Sequence, residues 1–398
     1  MNNIKIPLAK DTISNEEIDA LIEWLKTYPK LTKGDLTIKL EEEFSKWIGC
    51  KYSVFVNSGS SANLLMIAVL KEMGLLKYNR IVVPSLSWST TLSPCLIYGI
   101  EVVLVDVNLS NLSVDLDHLE QIFIKYNSEI DSCIIVPILG LSPDFNKIND
   151  LMNKYGISNM LVDNCESEGT TFNGHRIGSI FGIMSSFSMF YGHISSSIEG
   201  GMITTNDKDI YDCLLMLRSH GWLRDLDVEK QQELKEEWDM DNFSMQYKFM
   251  LPAYNLRSTE INAFLELGQR KNIDKVVLKR NENFIQFKNK LSPYTWFPIE
   301  VENSFTSSFC IPLIAQNKNE RNRIIKTLND NLVENRPIVS SSMGTQPMYV
   351  KKYGELILPN ASIIDERGLY IPNHPHLTQE EIDLMCKCVI DSLDINQK

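Results

Sequence analysis

Five short, continuously apolar runs recur along the first part of this chain, each followed by a stretch with helical spacing. That alternation limits the fold more than any other feature. The runs are "YSVFV" (52–56), "RIVVP" (80–84), "EVVLVDV" (101–107), "SCIIVPILG" (132–140) and "NMLVD" (159–163). Helical segments such as "NLLMIAVLKEMG", "DHLEQIFIKY" and "FNKINDLMNKYG" lie between them. A strand that is apolar on both faces needs cover on both faces, which a mostly parallel sheet flanked by helices supplies. "SSFSMFY" and "GMITTND" add two more strands, and "DIYDCLLMLRSHG" returns to helix.

The ends of the chain have a different pattern. "SNEEIDALIEWLKT" opens on a capping box, Ser14 to Glu17, and sets Ile18, Leu21, Ile22 and Leu25 on one helical face. Beyond about residue 280, the strands "SSFCIPLIA" and "GLYIPNHP" alternate with the helices "NERNRIIKTLNDNLV" and "TQEEIDLMCKCVIDSL". Thr378 and Glu381 give the last of these a second capping box. The reading is an α/β fold: a large domain over 1–275 with an N-terminal arm, and a smaller α+β domain over 276–398. The charged stretch "LDVEKQQELKEEWDMDNFSMQYKF" (226–249) reads as an inserted helix and loop with a solvated face.

A formal net charge of -12, with basic residues scattered among carboxylates, argues against nucleic acid as a partner. No apolar run approaches the length of a bilayer span, and the N-terminus lacks an apolar signal core. The eight cysteines fall in apolar segments, as reduced thiols of a cytoplasmic protein would. Cys386 and Cys388 form a C-x-C without a second pair or a nearby His set, so no metal site is expected.

Candidate site residues cluster where strands end. "NSGSSAN" (57–63) follows a strand and opens a helix, so the backbone amides of Gly59, Ser60 and Ser61 could cradle a phosphate. A purely structural turn has the same composition. Trp88, in "PSLSWSTT", either fills core or offers a flat stacking plate. Asp163, at the end of "NMLVD", either caps a turn or bonds to a protonated ring nitrogen, with Glu166 three residues on. Ser188 could add a hydroxyl donor for a phosphate, and five residues later stands His193 in "YGHISSSIEGGMITTND".

Taken in order, these motifs resemble the DegT/DnrJ/EryC1/StrS sugar aminotransferase family, whose members have the aspartate-aminotransferase fold of type I pyridoxal phosphate enzymes. "YNLRSTEINAFLELGQ" (254–269) is similar to the family's Tyr-Asn-x-Arg-x-[Thr/Ser]-[Glu/Asp] signature, and the resemblance covers nearly the whole chain. It implies pyridoxal 5'-phosphate or pyridoxamine 5'-phosphate as cofactor, held by Gly59, Ser60, Trp88, Asp163, Glu166 and Ser188. It also implies that Asn255 reaches the cofactor phosphate of a neighbouring subunit, and hence a homodimer with a shared active site.

In most of the family, the position of His193 is the lysine that forms a Schiff base with the cofactor. Histidine cannot form that bond, but it can move protons. "FYGHISSSIEGGM" and "RSHGWLRDLD" resemble a small branch, the pyridoxamine-phosphate-dependent sugar 3-dehydratases. One departure is Ile194, where that branch often has a second histidine. No cysteine lies between 226 and 248, so the iron-sulfur type of dehydratase is set aside.

The resemblance then implies removal of the C3 hydroxyl from a nucleotide-linked 4-keto-6-deoxyhexose, with GDP-4-keto-6-deoxy-D-mannose favoured. His193 would act as the acid/base and L-glutamate would regenerate the cofactor. Such an enzyme would serve deoxysugar biosynthesis leading to colitose in lipopolysaccharide O-antigen. His220, Arg224 and Arg336 are the implied substrate residues, although a surface ion pair fits Arg224 as well. His175 reads as a loop residue, and His374 and His376 as turn residues. Two rival readings remain: a nucleotide-sugar 4-aminotransferase, and a catalytically inactive cofactor-binding homologue.

Overall fold

In the computed structural model, which describes residues 5–393, the apolar runs become strands of one seven-stranded sheet. The first strands are β1 (Tyr52–Val56), β2 (Arg80–Pro84), β3 (Glu101–Val105), β4 (Ser132–Ile135) and β5 (Asn159–Asp163). A small hairpin, β6 (Thr171–Phe172) and β7 (His175–Arg176), precedes β8 (Met184–Ser188) and β9 (Gly201–Thr205). The sheet order is β1-β9-β8-β5-β4-β2-β3, and β9 alone pairs antiparallel with its neighbours.

Both faces of the sheet are buried, as the continuous apolar runs require. Ile81 and Val83 enter the core on one face and Val82 that on the other, as the two-residue period of a strand dictates. The helix Gly59–Glu72 covers one side, and the helices Leu116–Lys125 and Phe145–Lys154 cover the other.

The C-terminal part follows a short strand β10 (Ser304–Phe305). It is built on an antiparallel pair, β11 (Cys310–Ile314) and β12 (Gly368–Pro372), packed by helices. The long helix Ile273–Leu291 joins it to the sheet and packs on the helix Gln379–Ile390. A carboxylate from the large sheet braces the junction. Asp106 accepts the Asn360 and Ala361 amides at 2.9 Å each and so caps the helix Pro359–Arg367, whose own Leu358 cap offers no acceptor.

Both capping boxes are present. The charged insertion forms the helix Val228–Glu237, which buries no residue. Among the described residues the apolar face of the helix Asn15–Leu25 is only partly covered: Ile18 and Ile22 remain 42% and 46% exposed. No helix among the described residues is long and apolar enough to cross a membrane.

His374 opens the turn it was read in, its carbonyl accepting the Leu377 amide at 3.2 Å, but its ring is buried. It is 3% exposed, and neither ring nitrogen has a hydrogen-bond partner among the described residues. Burial pushes it down to about 4, and Arg280, His376 and Lys10 push the same way. The unfolded chain therefore takes up a proton near 6.5 that the folded chain refuses. Stability should fall as pH drops from 6.5 toward 4, and His374→Gln should flatten that part of the curve. Urea midpoints at pH 7 and pH 5 for both proteins test this; equal slopes would refute it.

Candidate active site

The carboxyl ends of β1, β2, β5 and β8 converge on a cavity of about 570 Å³, whose other wall is the C-terminal part. In an open α/β sheet this is where a ligand sits. Gly59, Ser60, Trp88, Asp163, Glu166, Ser188, His193 and Arg336 all line it. No lysine is among the lining residues.

His193 lies in the loop between β8 and β9. That loop is closed by its own backbone: the Ser197 amide bonds to the Met189 carbonyl at 3.0 Å, and the His193 amide to the Phe190 carbonyl at 2.8 Å. The imidazole Nδ1 lies 2.6 Å from the Cys165 carbonyl oxygen. A carbonyl only accepts, so Nδ1 carries the hydrogen and Nε2 keeps the lone pair. Burial pushes the imidazole down to about 4, with the nearby Arg280 adding to the effect. Its ring packs on Phe309, centroids 5.1 Å apart. The result is a neutral base of fixed tautomer.

Asp163, at the end of β5, is 4% exposed and held by four donors. Thr91 Oγ1 at 2.6 Å and Asn63 Nδ2 at 2.8 Å bond to Oδ2. The Cys165 amide at 3.3 Å and Ser186 Oγ at 3.4 Å bond more weakly to Oδ1. Ser186 Oγ also fixes Asn63 at 2.5 Å. A carboxylate so oriented suits a charged hydrogen bond to a ring nitrogen. Glu166, in the same turn, is pushed up to about 7 by burial, with the Asp163 charge adding, while the Leu139 amide at 3.0 Å pulls the other way. It therefore titrates near neutral pH.

The phosphate turn is built by close approach. Ser58 caps the helix Gly59–Glu72 by accepting from the Ser61 amide at 3.1 Å, which leaves the Gly59 and Ser60 amides at the helix mouth. A Cβ on Gly59 would lie 2.7 Å from Ser188 Cβ. One on Gly201 would lie 2.3 Å from the Ser58 carbonyl oxygen. The second glycine of the Glu-Gly-Gly run thus lets β9 pass directly beneath this turn.

Trp88 stands 57% exposed at the cavity edge, which is not the place of a core residue. Arg336 reaches the cavity beside Tyr370, with its Nη2 held by Glu334 Oε1 at 2.8 Å. Glu334 also accepts the Leu8 amide at 2.9 Å, which draws the N-terminal arm over the site.

His220, Arg224 and Asn255 are not among the cavity's lining residues. They gather around Trp222: His220 packs on its ring at 4.6 Å, Arg224 lies over it at 3.4 Å and Arg257 at 5.6 Å. Arg257 Nε bonds to Asn255 Oδ1 at 2.9 Å.

Reading motifs in sequence passed over Asn63, Thr91, Ser186, Phe309, Tyr370 and Arg280. Asn63 carried a signal, as a lone amide in an otherwise apolar helix. The Cys165 carbonyl that orients His193 carried none, being backbone.

The model of the DegT/DnrJ/EryC1/StrS aminotransferase family matches residues 11–390. The chain is 34% identical over 390 residues to GDP-4-keto-6-deoxy-D-mannose 3-dehydratase of Escherichia coli O55:H7, covering 96% of this chain and 98% of that protein. Two solved structures of a GDP-4-keto-6-deoxymannose-3-dehydratase each superpose with a TM-score of 0.87 at 32% identity, over 97% of this chain and 100% of theirs. One is a mutant with bound GDP-perosamine, and the other holds a trapped PLP-glutamate geminal diamine.

Proposed function

The chain belongs to the DegT/DnrJ/EryC1/StrS aminotransferase family, and from that premise we propose that it is a pyridoxamine-phosphate-dependent sugar 3-dehydratase. Its substrate is a nucleotide-linked 4-keto-6-deoxyhexose, with GDP-4-keto-6-deoxy-D-mannose favoured by the relatives. The observation that carries the reading is His193, a neutral base of fixed tautomer, in a cavity whose lining has no lysine.

The residues fit pyridoxamine 5'-phosphate. Two helix-mouth amides without a partner among the described residues and a turn that excludes a Cβ suit its phosphate, and the oriented carboxylate of Asp163 suits its ring nitrogen. When bound, the group supplies an amine that takes up the sugar ketone and a protonated ring that accepts electron density. Asp163 keeps that ring protonated. Nε2 of His193 removes one proton and returns it to the departing C3 hydroxyl. Without a lysine, no side chain competes for the cofactor's carbonyl carbon, and elimination replaces amination. L-Glutamate would restore the amine, and Arg336 in the cavity lining is a cation suited to its carboxylate.

His220, Arg224 and Asn255 lie off their own chain's cavity, where they could complete the site of a second subunit. The uncovered Ile18 and Ile22 also fit a homodimer. Arg224 over Trp222 presents a guanidinium suited to a pyrophosphate.

Asp163→Asn should lower turnover by about 10–100-fold, the worth of one charge-assisted hydrogen bond. Stopped-flow absorbance of the glutamate half-reaction measures it, and a change under about twofold would remove Asp163 from its role. The function itself is tested by incubating the protein with GDP-4-keto-6-deoxymannose, pyridoxal phosphate and L-glutamate. A product one oxygen lighter, with ammonia and 2-oxoglutarate released, supports the 3-dehydratase. A 4-amino sugar would make it an aminotransferase.

A further inference from the structure

A lysine bound to its cofactor is anchored by a covalent bond; a histidine in its place is only as well placed as its loop. We infer that Ser195 and Glu168, backed by Arg270, are positioning residues that hold the His193 loop in place of that covalent anchor. The inference rests on His193 being the acid/base.

The turn after β5 grips the loop at two points. At the first, the Cys165 carbonyl takes the ring hydrogen of His193 at 2.6 Å. At the second, three residues along the turn, Glu168 Oε2 accepts from Ser195 Oγ at 2.9 Å. Ser195 and Glu168 are each 1% exposed. The other oxygen of Glu168 is paired with the Arg270 guanidinium, whose side chain is 5% exposed. Arg270 is itself clamped between aromatic rings, 4.2 Å from the Trp47 centroid and 4.8 Å from that of Phe44. Glu266 Oε1 lies 3.5 Å from the same guanidinium.

Burial pushes Glu266 up to about 7, against the pull of Arg270 and with the Glu168 charge adding. Arg270 holds Oε1 of Glu168, so Oε2 is a set acceptor for Ser195. A charged acceptor in a dry site holds a hydroxyl in one direction. With both grips made, the ring and the backbone two residues beyond it refer to the same rigid turn. Arg280 Nη2 also holds the His193 carbonyl at 3.2 Å and Phe309 packs on the ring, so losing the second grip loosens the backbone beyond His193 and reaches the imidazole only through it.

Ser195→Ala removes the second grip alone, leaving Glu168 paired with Arg270, and Ser195→Thr restores the hydroxyl. Amide exchange in cofactor-free protein reads the loop without any chemistry. In Ser195→Ala, exchange over residues 189–198 should rise, while the helix Gln379–Ile390 keeps its wild-type protection. In the loaded protein the glutamate half-reaction should slow by about 10–100-fold, the scale expected when a reacting group shifts by about 1 Å, with KM for glutamate unchanged. Ser195→Thr should recover both. The inference is overturned if Ser195→Ala matches wild type in loop exchange and in rate, or if exchange rises equally throughout the protein. The wild-type half-reaction with glutamate judges the functional reading separately, since it needs neither variant.

Discussion

Replacing His193 by asparagine should cut sugar turnover by about 10²–10⁴, the usual worth of one positioned acid/base, while cofactor binding survives. Asparagine can still donate to the Cys165 carbonyl, so the loop keeps its first grip. It has no lone pair of comparable basicity, so neither the removal of a proton nor its return to the leaving hydroxyl has an agent. KM for the sugar should change little, because the loss falls on the transition state. The pH profile gives a second reading. Because burial pushes His193 down to about 4, the neutral imidazole persists well below 6.5. The acid limb of wild-type turnover should therefore lie closer to 4 than to 6.5. His193→Lys goes further, supplying the missing amine. The variant should gain an absorbance band from a lysine–cofactor adduct that borohydride fixes to residue 193. A wild-type protein already fixed by borohydride, or an asparagine variant within about tenfold of wild type, would end the assignment.

How much of this was visible in the residues depended on the range of each interaction. β1 to β5 were legible because burial on both faces needs an unbroken apolar run, which short windows display. The capping boxes at Ser14 and Thr378 were legible because both partners lie within four residues. The order of site motifs marked Asp163 and His193, since strand ends are where ligands sit. The support beneath them was not visible. Thr91 meets Asp163 across 72 positions and Ser195 meets Glu168 across 27, and nothing local to either residue announces the pairing. His374 does sit in a turn, as its sequence read, but its burial was not visible there: Asn283, 91 positions away on the helix Ile273–Leu291, donates to its carbonyl at 3.3 Å. The partly covered face of helix Asn15–Leu25 shows the opposite failure. Its periodicity signalled an apolar face that the described residues cover only in part, leaving Ile18 and Ile22 exposed.

Arg218 is the hardest case, and it carries the second large effect. It ends the helix Lys208–Arg218 and is 1% exposed, one of the largest fully buried side chains. Nη1 pairs with Glu41, 177 positions away, and donates to the Phe55 carbonyl at 3.0 Å. Nη2 lies 3.6 Å from Asp225. Glu41 in turn accepts the Phe55 amide at 2.8 Å, so the pair clasps the end of strand β1 just ahead of the phosphate motif. Arg218→Met leaves the Glu41 carboxylate buried without its cation, and breaking a buried pair on one side costs about 3–5 kcal/mol. Against a typical total of about 5–15 kcal/mol, that is a large share. Chemical unfolding should show it, and adding Glu41→Gln should recover part of the loss, because the unpaired charge rather than the missing bond is the main cost. Asp225 and Ser219 flank the His220–Arg224 stretch, so the same substitution should also loosen the loop proposed to reach the nucleotide. Sugar KM should then rise while the glutamate half-reaction, proposed to depend on His193 and Asp163, keeps its rate. If stability drops but sugar KM does not move, Arg218 is a core clasp alone, and the His220–Arg224 loop owes its shape to the Trp222 cluster instead.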